Sequence, residues 1–314
     1  MAVIPGGAGG RILVIKLGAL GDVVLALGPF AAIRRHHGGA HITLMTTAPF
    51  AGFLRGSDYF DAVWAEGRPR VLDACQWLSL RRRLRAGRFD RVYDLQTSDR
   101  SGWYFRLMGP GRRPEWSGIV RGCSHPHANA RRDFMHSIER QSEQLAIAGI
   151  AEVPAADLSW VQADVARFGL PARYALLVPG GAPHRPAKRW PAERYAALAR
   201  SLAAQGVVPV VLGGPDELLL GGAVCALCAE AEDLTGRTTL ADIAVLARGA
   251  AGAVGNDTGP MHMIAAAGCP SVVLFSAESD PALTAPRGPA VTVLRRDSLG
   301  DLAVAAVEAA LTMR

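Results

Sequence analysis

The sequence predicts an α/β fold with two successive parallel sheets, and three observations point to it. From Arg11 onward, short β-branched runs alternate with stretches of helical periodicity, which is typical of parallel βαβ units. The alternation stops at a Pro/Ala-rich segment, Val153–Ala156, and then starts again. The chain has 314 residues, 50% of them apolar, which is enough for two cores. We therefore expect one domain over residues 1–155 and a second over 156–314.

The first domain is predicted to contain four strands with helices between and after them. The strands are the β-branched, apolar runs Ile12–Leu17, His41–Met45, Asp61–Trp64 and Arg91–Leu95. The helices are the longer stretches Asp22–Arg35, Asp73–Arg85 and Phe134–Ala148.

The second domain repeats this alternation with five strands. They are predicted over Tyr174–Val178, Val207–Leu212, Gly252–Val254, Ser271–Phe275 and Val291–Leu294. The helices are predicted over Pro191–Ala204, Glu217–Ala229, Leu240–Ala247, Pro260–Ala267 and Leu302–Leu311. The last of these helices could return to the first domain. Open parallel sheets bind ligands beyond the carboxyl ends of their strands, so we expect function in the strand-to-helix loops, at a cleft between the sheets.

Charge is distributed unevenly along the chain. Residues 1–160 carry 21 Arg and Lys against 14 Asp and Glu, whereas residues 161–314 carry 13 against 14. The basic half is therefore expected to meet an anionic partner. Only two of the 34 basic residues are lysines, Lys16 and Lys188. A compact ammonium group can reach a phosphate where a guanidinium does not fit, so both lysines are candidates for that role.

Several classes of protein are disfavoured. Five scattered cysteines predict no disulfide framework, and Cys225 and Cys228 are predicted to pack in the core instead of binding a metal. The segment Gly6–Gly10 precedes the first strand, so it is predicted to be a disordered leader instead of a dinucleotide fingerprint. No apolar run approaches the roughly 18–20 residues of a membrane span, which predicts a cytoplasmic protein. Aromatic residues are not interleaved with the basic ones, so we expect no nucleic-acid partner.

The first strand-to-helix loop, Lys16–Asp22, contains glycines at positions 18 and 21 that permit a tight turn. Asp22 then stands where the helix is expected to begin. It can act as an ordinary N-cap, which position alone favours, or as a carboxylate that takes a proton from an attacking hydroxyl.

Two loops of the second half combine bare backbone with charge. Gly180 and Gly181 precede Lys188 in a cation-rich loop that suits a diphosphate, although a solvated loop is the alternative. After the next strand, Asp216 and Glu217 can hold ribose hydroxyls or simply favour the helix start.

The most specific local pattern is Gly-Asn-Asp-Thr-Gly-Pro-Met-His at 255–262. Thr258 can cap a helix, Gly259 exposes backbone N–H groups, and Pro260 is suited to the first helical position. His262 lies four residues after Thr258, hence on the same helix face. With Asp257 beside them, these residues predict an anion site at a helix start.

The motifs R-I-L-V-I-K-L-G-A-L-G-D (11–22), D-R-V-Y-D-L-Q (90–96), A-K-R-W-P (187–191) and G-N-D-T-G-P-M-H (255–262) recur in the same order in one family. Over nearly its whole length, the chain resembles the lipopolysaccharide heptosyltransferases of glycosyltransferase family 9, which use ADP-heptose. The resemblance implies two Rossmann-like domains of the GT-B type, with the acceptor on the first and the nucleotide-sugar on the second. It also implies inverting transfer without a metal ion or cofactor.

The family pattern also implies roles for individual residues. Asp22 becomes the general base, Lys188 a phosphate partner, and Asp216 a ribose contact. Asp257, Thr258 and Gly259 form the diphosphate cradle, with His262 in the same helix start. The donor side also includes Gly180 and Gly181, from the glycine-rich loop described above, and on the acceptor side we expect Lys16, Gly21, Gln96 and Arg100.

The leading hypothesis is therefore transfer of heptose from ADP-heptose to the acidic, lipid-linked inner core of lipopolysaccharide. A same-fold transferase with another donor or acceptor is the alternative, because residues 275–281 read F-S-A-E-S-D-P where the family commonly has F-G-P-T-D-P. A non-catalytic sugar-nucleotide binding protein is a third, disfavoured because Asp22 and Lys188 are both present.

The stretch Asp73–Arg88 has two interpretations. Trp77, Leu80 and Leu84 recur at helical spacing among five arginines. A helix that faces the core with a solvated basic side is the commoner use of such a pattern. The alternative is peripheral contact with anionic headgroups of the inner membrane.

Overall fold

A computed structural model describes residues 9–66, 68–70, 72–111 and 113–314, and in them the chain forms two parallel sheets. The predicted fold class is confirmed, while most of the predicted leader lies outside the described residues. The first sheet contains β1 (Arg11–Ile15), β2 (His41–Thr46), β3 (Ala62–Ala65), β4 (Arg91–Asp94), β5 (Glu115–Gly118) and β6 (His125–Pro126). The second contains β7 (Tyr174–Val178), β8 (Val208–Val211), β9 (Glu232–Asp233), β10 (Gly252–Asn256), β11 (Ser271–Phe275) and β12 (Val291–Arg295).

Helices connect most successive strands of both sheets, whereas a turn without a helix joins β5 to β6. In the first half they are α1 (Leu20–Val24), α2 (Leu27–His36), α3 (Ala48–Leu54), α4 (Ala74–Ala86), α5 (Asp99–Leu107) and α6 (Ser137–Ile147). In the second half they are α7 (Ala192–Ala204), α8 (Leu218–Ala226), α9 (Leu240–Gly249), α10 (Gly259–Ala266), α11 (Pro281–Thr284) and α12 (Val304–Ala310).

The two sheets share one topology. Their strand orders are β3-β2-β1-β4-β5-β6 and β12-β11-β10-β7-β8-β9. The two orders become identical when the second sheet is numbered from its own first strand and read from its opposite edge. This is the Rossmann order. In each sheet the order reverses between two parallel central strands, β1 and β4 or β7 and β10. Ligands of open α/β sheets bind at this switch point, beyond the carboxyl ends of the strands.

The central strands are buried on both faces, which explains their continuous apolar runs. Every residue of β7 is buried, and β1 is buried after Arg11. On one face of the first sheet, Leu80 and Leu84 of α4 pack in the same cluster as Leu13 and Ile15. The apolar side of α4 therefore faces the core, as the commoner interpretation of that stretch predicted.

The predicted helix Asp22–Arg35 is two helices, because α1 ends at Val24 and α2 begins at Leu27. Pro29 explains the interruption, since it has no N–H group to offer the carbonyl of Leu25 and its ring crowds that carbonyl. Strands β5, β6 and β9 were not predicted. The first has one large apolar side chain and the others have two residues each, too few to show a period.

The chain divides into two compact units between Ala156 and Asp157. In the second unit, the last helix α12 packs against α7. Trp190, just before α7, donates its indole N–H to the Leu302 carbonyl at 2.9 Å. Among the described residues, no helix is long and apolar enough to cross a bilayer.

Candidate functional site

The loops at the switch point of the first sheet place a buried lysine beside an accessible carboxylate. Lys16 follows β1, and its Nζ donates to the Leu95 carbonyl at 3.1 Å. The same Nζ lies 4.0 Å from Oδ1 of Asp22, whose side chain is 41% exposed. Burial lowers the pKa of Lys16, and Asp22 is the strongest influence in the opposite direction. An ammonium group and a reachable carboxylate thus share this edge of the sheet.

Asp22 caps α1, but from inside the helix. The N-cap is Ala19, and Oδ2 of Asp22 accepts the Ala19 N–H at 3.2 Å from the third helical position. This is the carboxylate half of a capping box and not the N-cap itself. Capping engages Oδ2, whereas Oδ1 faces the lysine. Capping and proton transfer can therefore use different oxygens of one carboxylate.

Gln96 and Asp94 hold the loops after β1 and β4 in place. Oε1 of Gln96 accepts the Leu17 N–H at 2.8 Å. Asp94 is buried, and its Oδ1 accepts the N–H groups of Gln96 at 3.1 Å and Thr97 at 3.0 Å. Burial raises the pKa of Asp94 to about 6, although these N–H donors and Lys16 pull it down. Gln96, expected on the acceptor side, thus lies beside Lys16 and Asp22, and its hydrogen bond to Leu17 also stabilises the loop after β1.

These loops open into a polar cavity of about 300 Å³. It is lined by Lys16, Asp22, Leu95, Gln96, Thr97, Arg132, Asp133, Arg140, Gln141 and Gln144. Three cations, Lys16, Arg132 and Arg140, therefore line the same cavity as Asp22. In the chain the two arginines are far from Lys16, and it is the fold that brings them to it.

Sequence reasoning missed Arg132 and Arg140. Nη2 of Arg132 donates to Thr97 Oγ1 at 2.6 Å, and Nη2 of Arg140 donates to Ser137 Oγ at 3.3 Å. Arg132 begins a short 3-10 helix and Arg140 lies in the first turn of α6. Neither follows a predicted strand end, so the rule that located the other residues did not reach them. Their proximity to Lys16 contributes to its lowered pKa.

Two other residues expected on the acceptor side differ from expectation. The turn requires a glycine at Gly18, where φ is +122° and an added Cβ would lie 2.7 Å from the Phe50 ring. Gly21 instead lies in the first turn of α1 without a positive φ. Arg100 is not among the residues lining the cavity; its Nη1 donates to the Pro69 carbonyl at 2.9 Å, and it lines a separate cavity.

At the switch point of the second sheet, Asn256 joins three segments of backbone. Its Nδ2 donates to the carbonyls of Pro179 at 2.8 Å and Gly180 at 2.9 Å. Its Oδ1 accepts the Trp190 N–H at 3.0 Å and lies 3.1 Å from the Tyr195 hydroxyl. A buried amide with all these partners fixes the ends of β7 and β10 in one arrangement. Sequence reasoning included Asn256 in its motif without assigning it a role.

Lys188 and Asp257 form a close ion pair beside the start of α10. Nζ lies 2.5 Å from Oδ2, with side chains 13% and 9% exposed. Thr258 is the N-cap of α10, yet its hydroxyl makes no capping hydrogen bond. Its Oγ1 is buried and has no hydrogen-bond partner among the described residues. A buried hydroxyl of this kind is available to a ligand.

A cavity of about 380 Å³ opens at this helix start. It is lined by Val178, Gly180, Gly181, Ala182, Lys188, Glu217, Asp257, Thr258, Gly259 and Pro260. The first N–H groups of a helix have no partner within it and carry a partial positive charge, so this cavity favours an anion. The fold thus brings together six of the residues predicted on the donor side.

Of the two neighbouring acidic residues Asp216 and Glu217, it is Glu217 that lines this cavity. The two oxygens of Glu217 accept the N–H groups of Gly181 and Gly214, each at 2.8 Å. Asp216 is exposed and does not line the cavity. Both lie on one 3-10 turn, where successive side chains point about 120° apart. His262 is buried in α10 and is also absent from the lining.

Within the described part of the chain, no three His, Cys, Asp or Glu side chains are grouped closely enough to hold a metal ion. All five cysteines are free thiols. Burial raises the pKa of Cys225 to about 11, which is unlike a thiolate ligand or nucleophile.

Two Rossmann-type sheets, each with a cavity lined by charged side chains at its switch point, define a two-unit α/β protein that binds ligands beyond its strand ends. The model of glycosyltransferase family 9 (heptosyltransferase) matches residues 77–304. The chain belongs to this family and is a glycosyltransferase.

Relatives resemble the chain over nearly its whole length. Lipopolysaccharide heptosyltransferase 2 of Escherichia coli K12 is 26% identical over 306 residues, which is 91% of this chain and 88% of that protein. The solved glycosyl transferase family 9 structure from Veillonella parvula has a TM-score of 0.83 at 21% identity, covering 96% of this chain and 95% of its own. E. coli heptosyltransferase WaaC, solved with ADP, has a TM-score of 0.75 at 23% identity, covering 95% and 98%. Both solved structures support the fold.

Proposed function

We propose that this protein transfers heptose from ADP-heptose to the inner core of lipopolysaccharide. The observation that carries the proposal is the cavity at the start of α10, where a buried, unpartnered hydroxyl lies beside a lysine and free helical N–H groups. That combination suits a diphosphate. The solved E. coli relative contains ADP, which supports the same nucleotide here.

The donor diphosphate binds to Thr258 Oγ1, to the first N–H groups of α10 and to Lys188. Asp257 holds the ammonium group of Lys188 at the cavity through their ion pair. Glu217 takes the ribose role first expected for Asp216, because its carboxylate lines the cavity and each oxygen has accepting capacity beyond its one backbone N–H.

The acceptor binds in the polar cavity of the first unit. Lys16, Arg132 and Arg140 supply three cations there, which suits the phosphate and carboxylate groups of an acidic glycan. The excess of basic residues in the first 160 positions, 21 against 14, supports the same kind of acceptor. We place the reaction in the cytoplasm, at the inner membrane to which a lipid-linked acceptor is confined.

Asp22 acts as the general base. Its carboxylate takes the proton of the acceptor hydroxyl while the hydroxyl oxygen forms a bond to the anomeric carbon of the heptose. The bond from that carbon to the diphosphate oxygen breaks, and ADP leaves with the electron pair. One displacement from the opposite face inverts the anomeric configuration. Lys188 and the helix start stabilise the charge on the leaving group, which is the basis for proposing that no metal ion takes part.

Two measurements test the proposal. Calorimetric titration with ADP, UDP and GDP should show preferential binding of ADP, because the proposed donor is ADP-heptose. Incubation with ADP-heptose and a lipid-linked inner core lacking that heptose should yield a product with inverted configuration by NMR, at an unchanged rate in EDTA. Preference for UDP or GDP would contradict the donor and favour the transferase with another nucleotide-sugar, which the unusual 275–281 loop first raised.

A further inference from the structure

An apolar cavity on α4 and α5 has no part in the proposed reaction. Its volume is about 650 Å³, and it is lined by Trp77, Asp99, Arg100, Trp103 and Leu107. Trp103 is 53% exposed, which is unusual for so large an apolar side chain. An exposed aromatic residue at the mouth of an apolar cavity marks an interaction site more than a stability feature.

The same two helices carry a further exposed apolar residue and a cation stacked on Trp103. Leu78, next to Trp77 on α4, is 51% exposed. The guanidinium carbon of Arg106 lies 4.6 Å from the centre of the Trp103 ring. An indole with a cation stacked on it is amphipathic, and such groups are found where an apolar phase meets a charged surface.

The two helices carry a strong excess of positive charge. Together α4 and α5 carry six arginines and one aspartate. Arg83 is engaged by the protein, since it lies 4.3 Å from the centre of the Trp64 ring and 3.9 Å from Glu66. Arg82 is exposed one turn after Leu78, and therefore on the same side of α4. Exposed cations beside exposed apolar groups complement the phosphates and acyl chains of an anionic bilayer.

The position of this surface connects it to the acceptor site. Thr97 lines the polar cavity beside Asp22, and Asp99 and Arg100, two and three residues later, line the apolar one. The polar cavity thus reaches the loop after β4, and the apolar cavity is lined by the start of α5, the helix that follows this loop. A glycolipid bound with its sugar in the first would have its lipid end near the second, an argument that rests on the proposed function.

We propose that the α4–α5 face docks on the surface of a bilayer that contains anionic phospholipid. Trp103 enters the headgroup region, Leu78 contacts the acyl boundary, and Arg82 and Arg106 bind lipid phosphates. Docking positions the acceptor cavity at the membrane surface.

Vesicle sedimentation tests the docking. The protein should bind vesicles of phosphatidylglycerol and phosphatidylethanolamine, bind phosphatidylcholine vesicles weakly, and release the anionic ones in high salt. Trp103→Ser and the double variant Arg82→Glu/Arg106→Glu should each lower the partition coefficient about tenfold. Trp103→Phe should restore binding, because it keeps the apolar ring.

Matched controls lie elsewhere on the chain. Leu219→Ser removes a 92% exposed leucine of α8, and Arg35→Glu/Arg200→Glu reverses two exposed arginines of α2 and α7. Both should bind anionic vesicles like the wild type. Wild-type binding by Trp103→Ser and by Arg82→Glu/Arg106→Glu would overturn the proposal. So would equal binding to neutral vesicles, or equal losses in the controls.

Activity on a deacylated, water-soluble acceptor separates this inference from the proposed function. The docking variants should keep ADP affinity and turnover of that acceptor within about twofold, since their residues lie outside the proposed donor and acceptor cavities. Vesicle binding that depends on Trp103, without any heptose transfer, would support docking and contradict the proposed function. Heptose transfer together with vesicle binding that these variants do not change would support the proposed function and contradict docking.

Discussion

Asp22 combines a capping contact with an accessible oxygen, so its two roles can be separated by substitution. Asp22→Asn keeps an acceptor for the Ala19 N–H but loses a base. We expect kcat to fall by about 10²–10⁴-fold, the usual contribution of a positioned general base. ADP affinity should stay within about twofold, because this residue lies in the acceptor cavity. Steady-state kinetics and calorimetry measure the two quantities.

The matched control is Asp133→Asn, which removes a second carboxylate from the same cavity. Its side chain is 84% exposed and pairs with Arg132 at 3.2 Å, so it is expected to change kcat far less. Full activity in Asp22→Asn, or equal losses in both variants, would remove Asp22 as the base.

Thr258 offers a substitution that should affect the ligand and not the fold. Its buried hydroxyl has no partner among the described residues, so Thr258→Val should change the free energy of unfolding by less than about 0.5 kcal/mol. The lost hydrogen bond to phosphate should weaken ADP binding by about 1–1.5 kcal/mol, or roughly tenfold. Calorimetry and urea unfolding measure these changes.

The control variant Thr239→Val should affect the fold and not the ligand, which is the reverse of the effect expected for Thr258→Val. Thr239 caps α9 and donates its hydroxyl to Asp242 at 2.8 Å, so this variant should lose about 1 kcal/mol of stability with unchanged ADP affinity. If Thr258→Val lost stability and kept its affinity, the hydroxyl would be a structural group and not a ligand contact.

His37 makes stability depend on pH. Its Nε2 lies 2.8 Å from the Tyr93 hydroxyl, and burial, with His36 and Arg91 nearby, lowers the pKa of His37 to about 4. Since the pKa is about 6.5 in the unfolded chain, the unfolded state binds more protons between these values. The contribution of neutral His37 is complete above pH 6.5 and is lost as the pH falls toward 4.

His37→Gln should therefore flatten the dependence of unfolding free energy on pH by about 2 kcal/mol between pH 7 and 4. Urea unfolding across this range measures it, with His184→Gln, in an exposed loop, as the control. The pKa of Asp94 is raised to about 6, which makes stability depend on pH in the opposite direction. This contribution is the same in the wild type, His37→Gln and His184→Gln, so it cancels in the comparison. An unchanged slope in His37→Gln would contradict the assignment.

At the scale of the element, two helical glycines behave differently. A Cβ at Gly28 of α2 would overlap the carbonyl oxygen of Pro154, whereas a Cβ at Gly52 of α3 would meet nothing within 4 Å. Gly28→Ala should destabilise the protein by about 2 kcal/mol through this clash. Gly52→Ala should stabilise it by about 0.5–1 kcal/mol through helix propensity. Urea midpoints measure both, and a tolerated Gly28→Ala would refute the close packing of α2 on that segment.

Strands and helices with strong periodicity were predictable, and short ones were not. The predicted ranges Tyr174–Val178 and Ser271–Phe275 coincide with β7 and β11. Strands β6 and β9 have two residues each and exist only because a neighbouring strand presents its edge. Local sequence carries no period over two residues, so only the pairing reveals them.

At the scale of the whole molecule, each unit has its own sheet and core. The main cluster of the second unit runs from Ala175 to Val307 and includes no residue of the first. Residues 157–314 expressed alone should therefore fold and bind ADP within about threefold of the full chain, since the donor cavity is lined only by this unit. Circular dichroism and calorimetry test this. A folded fragment without ADP affinity would show that the first unit contributes to donor binding.

The sequence by itself determined the class of fold and most of the chemistry at the strand ends. Apolar periodicity, helix-start residues and glycine-rich loops are local signals, so Lys16, Lys188 and Thr258 could be located before any strand was paired. Tertiary structure alone decided which distant groups join them. It brought Arg132 and Arg140 to the cavity beside Asp22, because adjacency depends on sheet order and not on sequence distance. It directed Glu217 inward and Asp216 outward, because a single turn orients neighbouring side chains differently.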